Sequence, residues 1–229
     1  MKKYTFILLS GGVGSRMKNP VPKQYMLLAG KPMIMHILER IDCLDQVDKI
    51  VIVCSEDYKA SIDLMIKQYG IKKDYSFANA GSTRQASVYS GLKEVTSHDV
   101  IIHEAARPFV SVSDFEELIN DQSDNATIGM DIPFTVIKGH EQVEGILNRS
   151  ELVNVQLPQK FNTKQLLAAH EKAINDGKLF TEDVSLLYFY DSSSIVKIIK
   201  GKEYNIKITT RTDMLSGEII YDEYFRRRK

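Results

Sequence analysis

Several features that would steer a functional reading are missing from this sequence. Among its 229 residues, 30 lysines and arginines stand against 30 aspartates and glutamates, so no basic excess argues for a nucleic-acid partner. Any anion must be met by a local site. Only two cysteines occur, Cys43 and Cys54, without CxxC or Cys/His spacing, which argues against a disulfide framework or a zinc site. Both are expected to be buried small apolar residues. No long apolar run is found either. The stretch in "MKKYTFILLSGG" gives way to glycines too soon for a signal peptide or a membrane span, and the expectation is a cytoplasmic protein with no membrane partner. Internal repeats and low-complexity segments are not evident.

What the sequence does contain is alternation. The chain is 43% apolar and 26% charged, which fits one globular α/β domain over residues 1–229. Continuous apolar runs, the mark of strands covered on both faces, recur at "YTFILL", "KIVIVC", "DYSFANA", "DVIIHE" and "ATIGMDI". Helix-period segments lie between them. "PMIMHILERIDCL" puts Met33, Ile37, Ile41 and Leu44 on one stripe, "DYKASIDLMIKQYG" ends in Gly70, and Ser113 with Glu116 offers a capping box for "DFEELINDQ". Such alternation implies right-handed crossovers and a Rossmann-like, doubly wound, mostly parallel sheet, whose sites lie beyond the carboxyl ends of the strands. Residues 133–159, two β-like runs joined through "GHEQVEG", break the pattern and are expected to form a protruding β-arm. Beyond them are expected helices in "NTKQLLAAHEKAINDG" and "TEDVSLLYFYD", a strand pair in "SIVKIIKG" and "YNIKIT", and a terminal helix from Thr212.

The chemistry begins at "SGGVGSRMKNPVPKQ", directly after the first strand. Small residues there let backbone N–H groups converge on one anion, and Gly11, Gly12 and Gly14 fit that need. A P-loop would close with Gly-Lys-Ser/Thr, and the dinucleotide fingerprint would need a glycine where Met17 stands, so neither applies. What remains is a loop carrying two cations, Arg16 and Lys23, able to surround a triphosphate and neutralise charge that grows in a transition state. A tight strand-to-helix turn with solvated basic residues is the alternative.

Taken together, "GGVGSRM…PKQ", "GSTRQASVYSGL", "HEAARPFV", "VQLPQKF" and "NIKITT" resemble the polyol-phosphate cytidylyltransferases, over nearly the whole chain and in order. That family includes the methylerythritol phosphate enzyme of isoprenoid synthesis and the ribitol phosphate enzymes that supply wall or capsule polymers. The resemblance implies CTP plus an alditol phosphate giving a CDP-alditol and pyrophosphate, with Mg²⁺, in a homodimer formed through the arm. It carries the catalytic cations onto Arg16, Lys23 and Lys207, and the nucleotide-binding loop onto Ser10, Gly11, Gly12 and Gly14. Gly81, Ser82, Arg84, Ser87 and Ala105 match positions that hold the cytosine and ribose. A helix N-terminus capped by Ser82 is the plainer reading of the same stretch. Glu104, Arg107, Thr135, Arg149, Thr181 and Thr209 fall on the acceptor side, with Arg149 reaching from the arm into the other subunit. Direct metal ligands stay open: Mg²⁺ would be held mainly through the CTP phosphates, with Glu104 the one protein candidate.

An acceptor phosphate is already anionic, so the implied reaction needs no general base and rests on alignment and charge neutralisation. His36, His98, His140 and His170 are accordingly set aside, and His103 is expected to pack. Departures from the methylerythritol pattern concern the acceptor: Glu104 replaces an aspartate, Leu157 a threonine before "PQ.F", and Val136 the second residue of an Asp-Thr pair. Lost hydroxyl partners cost about 1 to 3 kcal/mol each where a buried polar group is left unpaired. The expectation is therefore a ribitol-5-phosphate-like or other wall or capsule polyol phosphate, with 2-C-methyl-D-erythritol 4-phosphate as the alternative acceptor. Two rival readings remain, a sugar-1-phosphate nucleotidyltransferase and a catalytically silent nucleotide-binding protein. The first lacks a convincing pair of metal-binding aspartates, and the second is opposed by Arg16, Lys23 and Lys207 occurring together.

Overall fold

The computed structural model describes residues 2–12 and 21–226. Its first strand, β1 (Tyr4–Leu9), is buried along its whole length and pairs in parallel with two neighbours, β4 (Val47–Cys54) and β6 (Asp99–Glu104). Between β1 and β4 run a 3₁₀ turn at Lys23–Tyr25, a short hairpin of β2 (Leu27–Leu28) and β3 (Lys31–Pro32), and α1 (Met33–Asp42). The helix α2 (Glu56–Tyr69) leads to β5 (Asp74–Asn79), α3 (Arg84–Leu92) to β6, and α4 (Val112–Asn120) to β7 (Asn125–Asp131). The two-residue strands β8 (Ile137–Lys138) and β9 (Gly145–Ile146) pair with each other, apart from the main sheet. The chain then returns through β10 (Val153–Asn162), α5 (Thr163–Asn175), α6 (Asp183–Tyr190), β11 (Val196–Lys200) and α7 (Arg211–Ile220).

The seven main strands lie in the order β11-β7-β10-β6-β1-β4-β5, with β10 antiparallel to both its neighbours and the remaining pairs parallel. The expected mostly parallel, doubly wound sheet is thus observed. Side chains alternate across a strand, so a run buried on both faces must be apolar throughout. Phe6 and Leu8 face one cluster, with Ile37 and Ile41 of α1, Ile62 and Ile66 of α2, and Phe115 of α4. Ile7 and Leu9 face the other, with Val88 of α3, Leu166 of α5 and Leu187 of α6. The helix α2 ends as its sequence indicates, at Gly70 with φ 68°, where a residue without Cβ adopts the left-handed conformation at little cost.

Local expectations differ from the structure at several points. The cap of α4 is Ser111, whose hydroxyl accepts from Asp114 N–H while the Asp114 carboxylate accepts from Ser111 N–H. Ser113 bonds only the Ser111 hydroxyl and Glu116 makes no cap, so the box starts two residues earlier than the spacing of Ser113 and Glu116 indicates. The cap of α3 is Thr83 rather than Ser82, through its hydroxyl and Ala86 N–H at 3.0 Å. Cys54 is buried, and burial pushes its thiol up to about 11, but Cys43 is exposed at the end of α1. The arm also ends sooner than 159. From Val153 the chain is a strand of the main sheet, with Gln156 to Phe161 buried: Val153–Gln156 pair with β7 and Gln159–Lys160 with both β6 and β7, where an arm would pair only with itself.

Candidate active site

β1 is flanked on one side by β4, which follows it in the chain, and on the other by β6, so the strand order reverses at β1/β6. A crevice opens beyond the carboxyl ends of strands at such a point. Here it is a cleft of about 510 Å³, lined by the end of β1, the 3₁₀ turn, the β5–α3 loop, the end of β6 and the segment around Lys207. Of the expected nucleotide-binding residues, Ser10, Gly11, Gly12, Gly81, Ser82, Arg84 and Ser87 line it, as do Lys23, Lys207, Glu104 and Thr209. Arg16 and Gly14 lie outside the described residues.

The glycines divide by what surrounds them. A Cβ on Gly11 would stand 2.3 Å from the Ala80 Cβ, and one on Gly81 would stand 2.5 Å from the Ala86 Cβ, so both are required by packing of the chain on itself. A Cβ on Gly12 would meet nothing within 4 Å among the described residues, and Gly12 lines the cleft. Gly11 thus serves the packing of the turn, while Gly12 borders the cleft. Gln24, which the sequence reading passed over although "PKQ" contains it, organises this loop. Its amide donates to the carbonyls of Ser10 and Gly12 at 2.7 and 2.9 Å, and the Ser10 hydroxyl donates to Tyr25 Oη at 3.1 Å. Burial of that phenol pushes its pKa up to about 12 and keeps it neutral. On the opposite wall Ser87 is used internally: its oxygen accepts from Gly81 N–H at 3.0 Å and its hydroxyl donates to the Thr83 carbonyl at 2.9 Å, folding the β5–α3 loop into a compact hook.

The floor is ionic. Glu104 Oε1 accepts from Arg84 Nε at 3.0 Å, and Glu104 Oε2 lies 2.5 Å from Lys207 Nζ. Burial alone would raise the Glu104 pKa, but the Lys207 and Arg84 charges outweigh it and hold the group near 2. Arg84 extends further, with Nη1 donating to Asp183 Oδ2 at 2.8 Å and Nη2 at 3.2 Å from Glu182 Oε1. Burial disfavours its charge, and these three carboxylates more than compensate, raising its pKa above the ordinary arginine value. His103 behaves as expected. It packs edge-on against Phe6 and Phe115 behind the floor, its Nε2–H donates to the Arg107 carbonyl, and burial drives its pKa down to about 3, so it carries no charge at neutral pH.

Several expected positions lie elsewhere. Lys207 is not on a strand pair: residues 205–209 run as an irregular extended segment, its Ile208 N–H donating to the Ala106 carbonyl and the Ile208 side chain buried against Leu28, Met33 and Phe109. That anchoring turns Lys207 into the cleft, where an edge-strand lysine would face solvent. Ala105 is fully buried with its N–H on the Leu9 carbonyl, and Ala106 forms the wall in its place. Arg107 is turned away, donating to the Asn205 carbonyl at 3.2 Å. Thr135, Arg149 and Thr181 are exposed and outside the cleft lining, with Arg149 donating to the Pro133 carbonyl. Leu157, 1% exposed, sits in the core with Ile102, Phe161 and Leu166. The Thr209 hydroxyl donates to Asp213, the residue that completes the capping box of α7 at Thr210, so that helix begins at Arg211, one residue before the expected Thr212. No group of three metal-ligating side chains forms among the described residues, and no helix among them is long and apolar enough to cross a membrane.

A cationic cleft at the switch point of a doubly wound sheet, walled by small-residue loops, defines a nucleotide-binding protein of the nucleotidyltransferase class. The model of the IspD family, 2-C-methyl-D-erythritol 4-phosphate cytidylyltransferase, matches residues 5–223. Curated relatives of that name from Clostridium botulinum and Geobacillus thermodenitrificans are each 36% identical, over 97% and 95% of this chain and 99% and 96% of their own lengths. The crystal structure of 4-diphosphocytidyl-2C-methyl-D-erythritol synthase from Anaerococcus prevotii superposes with a TM-score of 0.85 at 26% identity, covering 96% of each chain. The chain belongs to the 2-C-methyl-D-erythritol 4-phosphate cytidylyltransferase family and is a CTP-dependent cytidylyltransferase. The family match and the curated relatives favour the alternative acceptor over the expected ribitol-5-phosphate-like one with its wall or capsule role, and the burial of Leu157 supplies a physical reason why that departure does not weigh against it. A residue enclosed in the core makes no hydrogen bond to a substrate, so a leucine there carries no information about the acceptor.

Proposed function

We propose that the enzyme transfers CMP from CTP to 2-C-methyl-D-erythritol 4-phosphate, releasing pyrophosphate. The observation that carries this reading is the span of the family match, residues 5–223, which takes in the cleft and the arm alike. The acceptor phosphate oxygen attacks the α-phosphorus of CTP; that P–O bond forms as the bridge to the β-phosphate breaks, and pyrophosphate leaves with the electron pair. No proton need be removed, which accords with a cleft whose nearest histidine, His103, is buried and neutral. Lys23 and Lys207, with Arg16, neutralise charge on the phosphates, and each 1.36 kcal/mol gained only in the transition state is a factor of ten in rate. In this reading the cytosine lies against Gly81 and Ser82, at the loop that Ser87 holds in place.

The residues present offer a poor metal site of their own. Among the described residues Glu104 is the one carboxylate of the cleft lining, and it is engaged by Arg84 and Lys207. Magnesium accordingly enters with CTP as a counter-ion of the triphosphate, and no step here passes through a protein-bound metal. Because Thr135 and Arg149 are displaced from the cleft on the arm, we place them in the acceptor site of a second copy, in a homodimer. The test is pyrophosphate release with CTP and a panel of methylerythritol, ribitol, arabinitol, mannitol and glycerol phosphates. Methylerythritol phosphate should give the highest kcat/KM. A ribitol phosphate preference, or CTP binding without turnover on any acceptor, would refute the proposal.

A further inference from the structure

The ionic floor of the cleft does not stop at the residues that face it. Asp183 is the first residue of α6 and 1% exposed, and its second oxygen accepts from Nε2 of His170, a fully buried side chain of α5, at 3.1 Å. His170 Nε2, Asp183, Arg84, Glu104 and Lys207 thus form one unbroken line of contacts, at 3.1, 2.8, 3.0 and 2.5 Å, from the far helix layer to the cleft. No residue along it is redundant. Arg84 hydrogen-bonds two carboxylates through Nε and Nη1, and its Nη2 lies 3.2 Å from a third on Glu182, so its guanidinium plane is determined, and that plane fixes where Glu104 Oε1 lies. The Glu104 carboxylate is rigid, so fixing Oε1 fixes Oε2, and Oε2 holds the Lys207 ammonium. Lysine carries a point charge on a flexible four-carbon stem, and the segment around it has no strand ladder to restrain the side chain.

We propose that Asp183, braced by His170, is a positioning residue for the transfer reaction, acting through Arg84 and Glu104 to set the Lys207 ammonium where the α-phosphate reacts. This rests on the cytidyl-transfer reading above. When Asp183 loses its charge, Arg84 keeps only Glu104 and Glu182 as charged partners, and its guanidinium shifts towards them, drawing the Glu104 carboxylate away from Lys207. Catalysis by fixed charge is sensitive to such movement, since a misplacement of about 1 Å can cost about a hundredfold. Substrate binding, spread over many contacts, changes much less. Asp183 and His170 touch no substrate, so their effect falls on kcat.

The experiment compares Asp183→Asn, His170→Leu and His170→Gln with the wild-type enzyme, measuring kcat and both KM values per CTP-binding site, with CTP affinity and stoichiometry from calorimetry. Normalising to bound CTP separates positioning from simple loss of folded protein, which lowers the number of sites and leaves kcat per site unchanged. Asp183→Asn should reduce kcat per site by about tenfold to a hundredfold with CTP Kd within about twofold. His170→Leu should reduce kcat less, and His170→Gln, which keeps a donor for Asp183, should restore most of it. If Asp183→Asn does not fold, the His170 pair decides. Unchanged kcat per site in His170→Leu, or an equal loss in His170→Leu and His170→Gln, overturns the inference. Absence of wild-type turnover with CTP and methylerythritol phosphate would instead count against the reaction itself, so the two failures are distinguishable.

Discussion

Replacing Leu157 with threonine, the residue the family carries before "PQ.F", tests whether this position belongs to the acceptor or to the core. Leu157 is 1% exposed among Val100, Ile102, Phe161 and Leu166. The substitution removes about two carbons, worth about 0.8 kcal/mol each, or roughly 1.6 kcal/mol of lost burial. It also encloses a hydroxyl among apolar neighbours, costing about 1 to 3 kcal/mol if no partner is found. The expected destabilisation is therefore about 3 to 5 kcal/mol, a fall in Tm of about 6 to 20 °C at the roughly 2 to 4 °C per kcal/mol usual for a chain this size. Thermal unfolding followed by circular dichroism measures it, alongside KM for methylerythritol phosphate below the transition. Leu157→Thr should lower Tm and leave KM unchanged. An unaltered Tm with a lowered acceptor KM would show that the side chain faces substrate and that the core assignment is wrong.

Other outcomes follow from the cleft. Gly11→Ala forces a Cβ into Ala80 and should cost about 1 to 3 kcal/mol of stability, whereas Gly12→Ala should leave Tm nearly unchanged while weakening CTP binding by calorimetry; the opposite pattern would refute the division between packing and ligand approach. Glu104, held near 2 against an ordinary 4.5, contributes stability that is complete above pH 4.5 and lost as pH falls towards 2. Glu104→Gln should flatten the acid limb of the urea-unfolding profile in that window, and an unchanged limb would count against the ion pairs. Buried neutral His103, near 3 against 6.5, has the same sign in a wider window, so stability should already fall from pH 6.5 downwards, and His103→Phe should remove the part between 6.5 and 4.5. Arg149→Ala should raise acceptor KM and spare CTP affinity, and mixing it with Lys23→Ala should recover activity above either alone; no recovery would refute an arm that serves the partner's site.

Legibility followed the range of the interactions. The apolar runs mark the interior strands β1, β4 and β6 within two residues, because a strand covered on both faces is apolar along most of its length, and they mark β7 and the partly exposed edge strand β5 as closely. The part of β10 up to Gln159 resembles arm because its polar Gln156 and Gln159, and Lys160 after them, do not read as a central strand. The donors of these side chains find distant acceptors: Lys160 Nζ the Asp121 carbonyl, Gln159 Nε2 the Thr127 hydroxyl, and Gln156 Nε2 the Lys202 and Asn205 carbonyls. Nothing local to β10 announces those partners. Lys207 was singled out for the right neighbourhood on the wrong element, since its direction is set by Ile208 anchoring in a cluster built from Leu28, Met33 and Phe109.

The sequence by itself determined the alternating architecture, the small-residue loop after β1 and the motif order that identifies the cytidylyltransferase class, because periodicity, glycine placement and motif spacing are properties of neighbouring residues. Tertiary structure alone decided which of those residues share a site. It brought Glu104, Arg84 and Lys207 into contact, and extended that line to Asp183 and His170. It also showed that Gly11 answers to Ala80 while Gly12 answers to the cleft, and withdrew Leu157 into the core. Those distinctions depend on which side chains meet across elements as much as a hundred residues apart, where burial and charge act through space and leave no pattern along the chain.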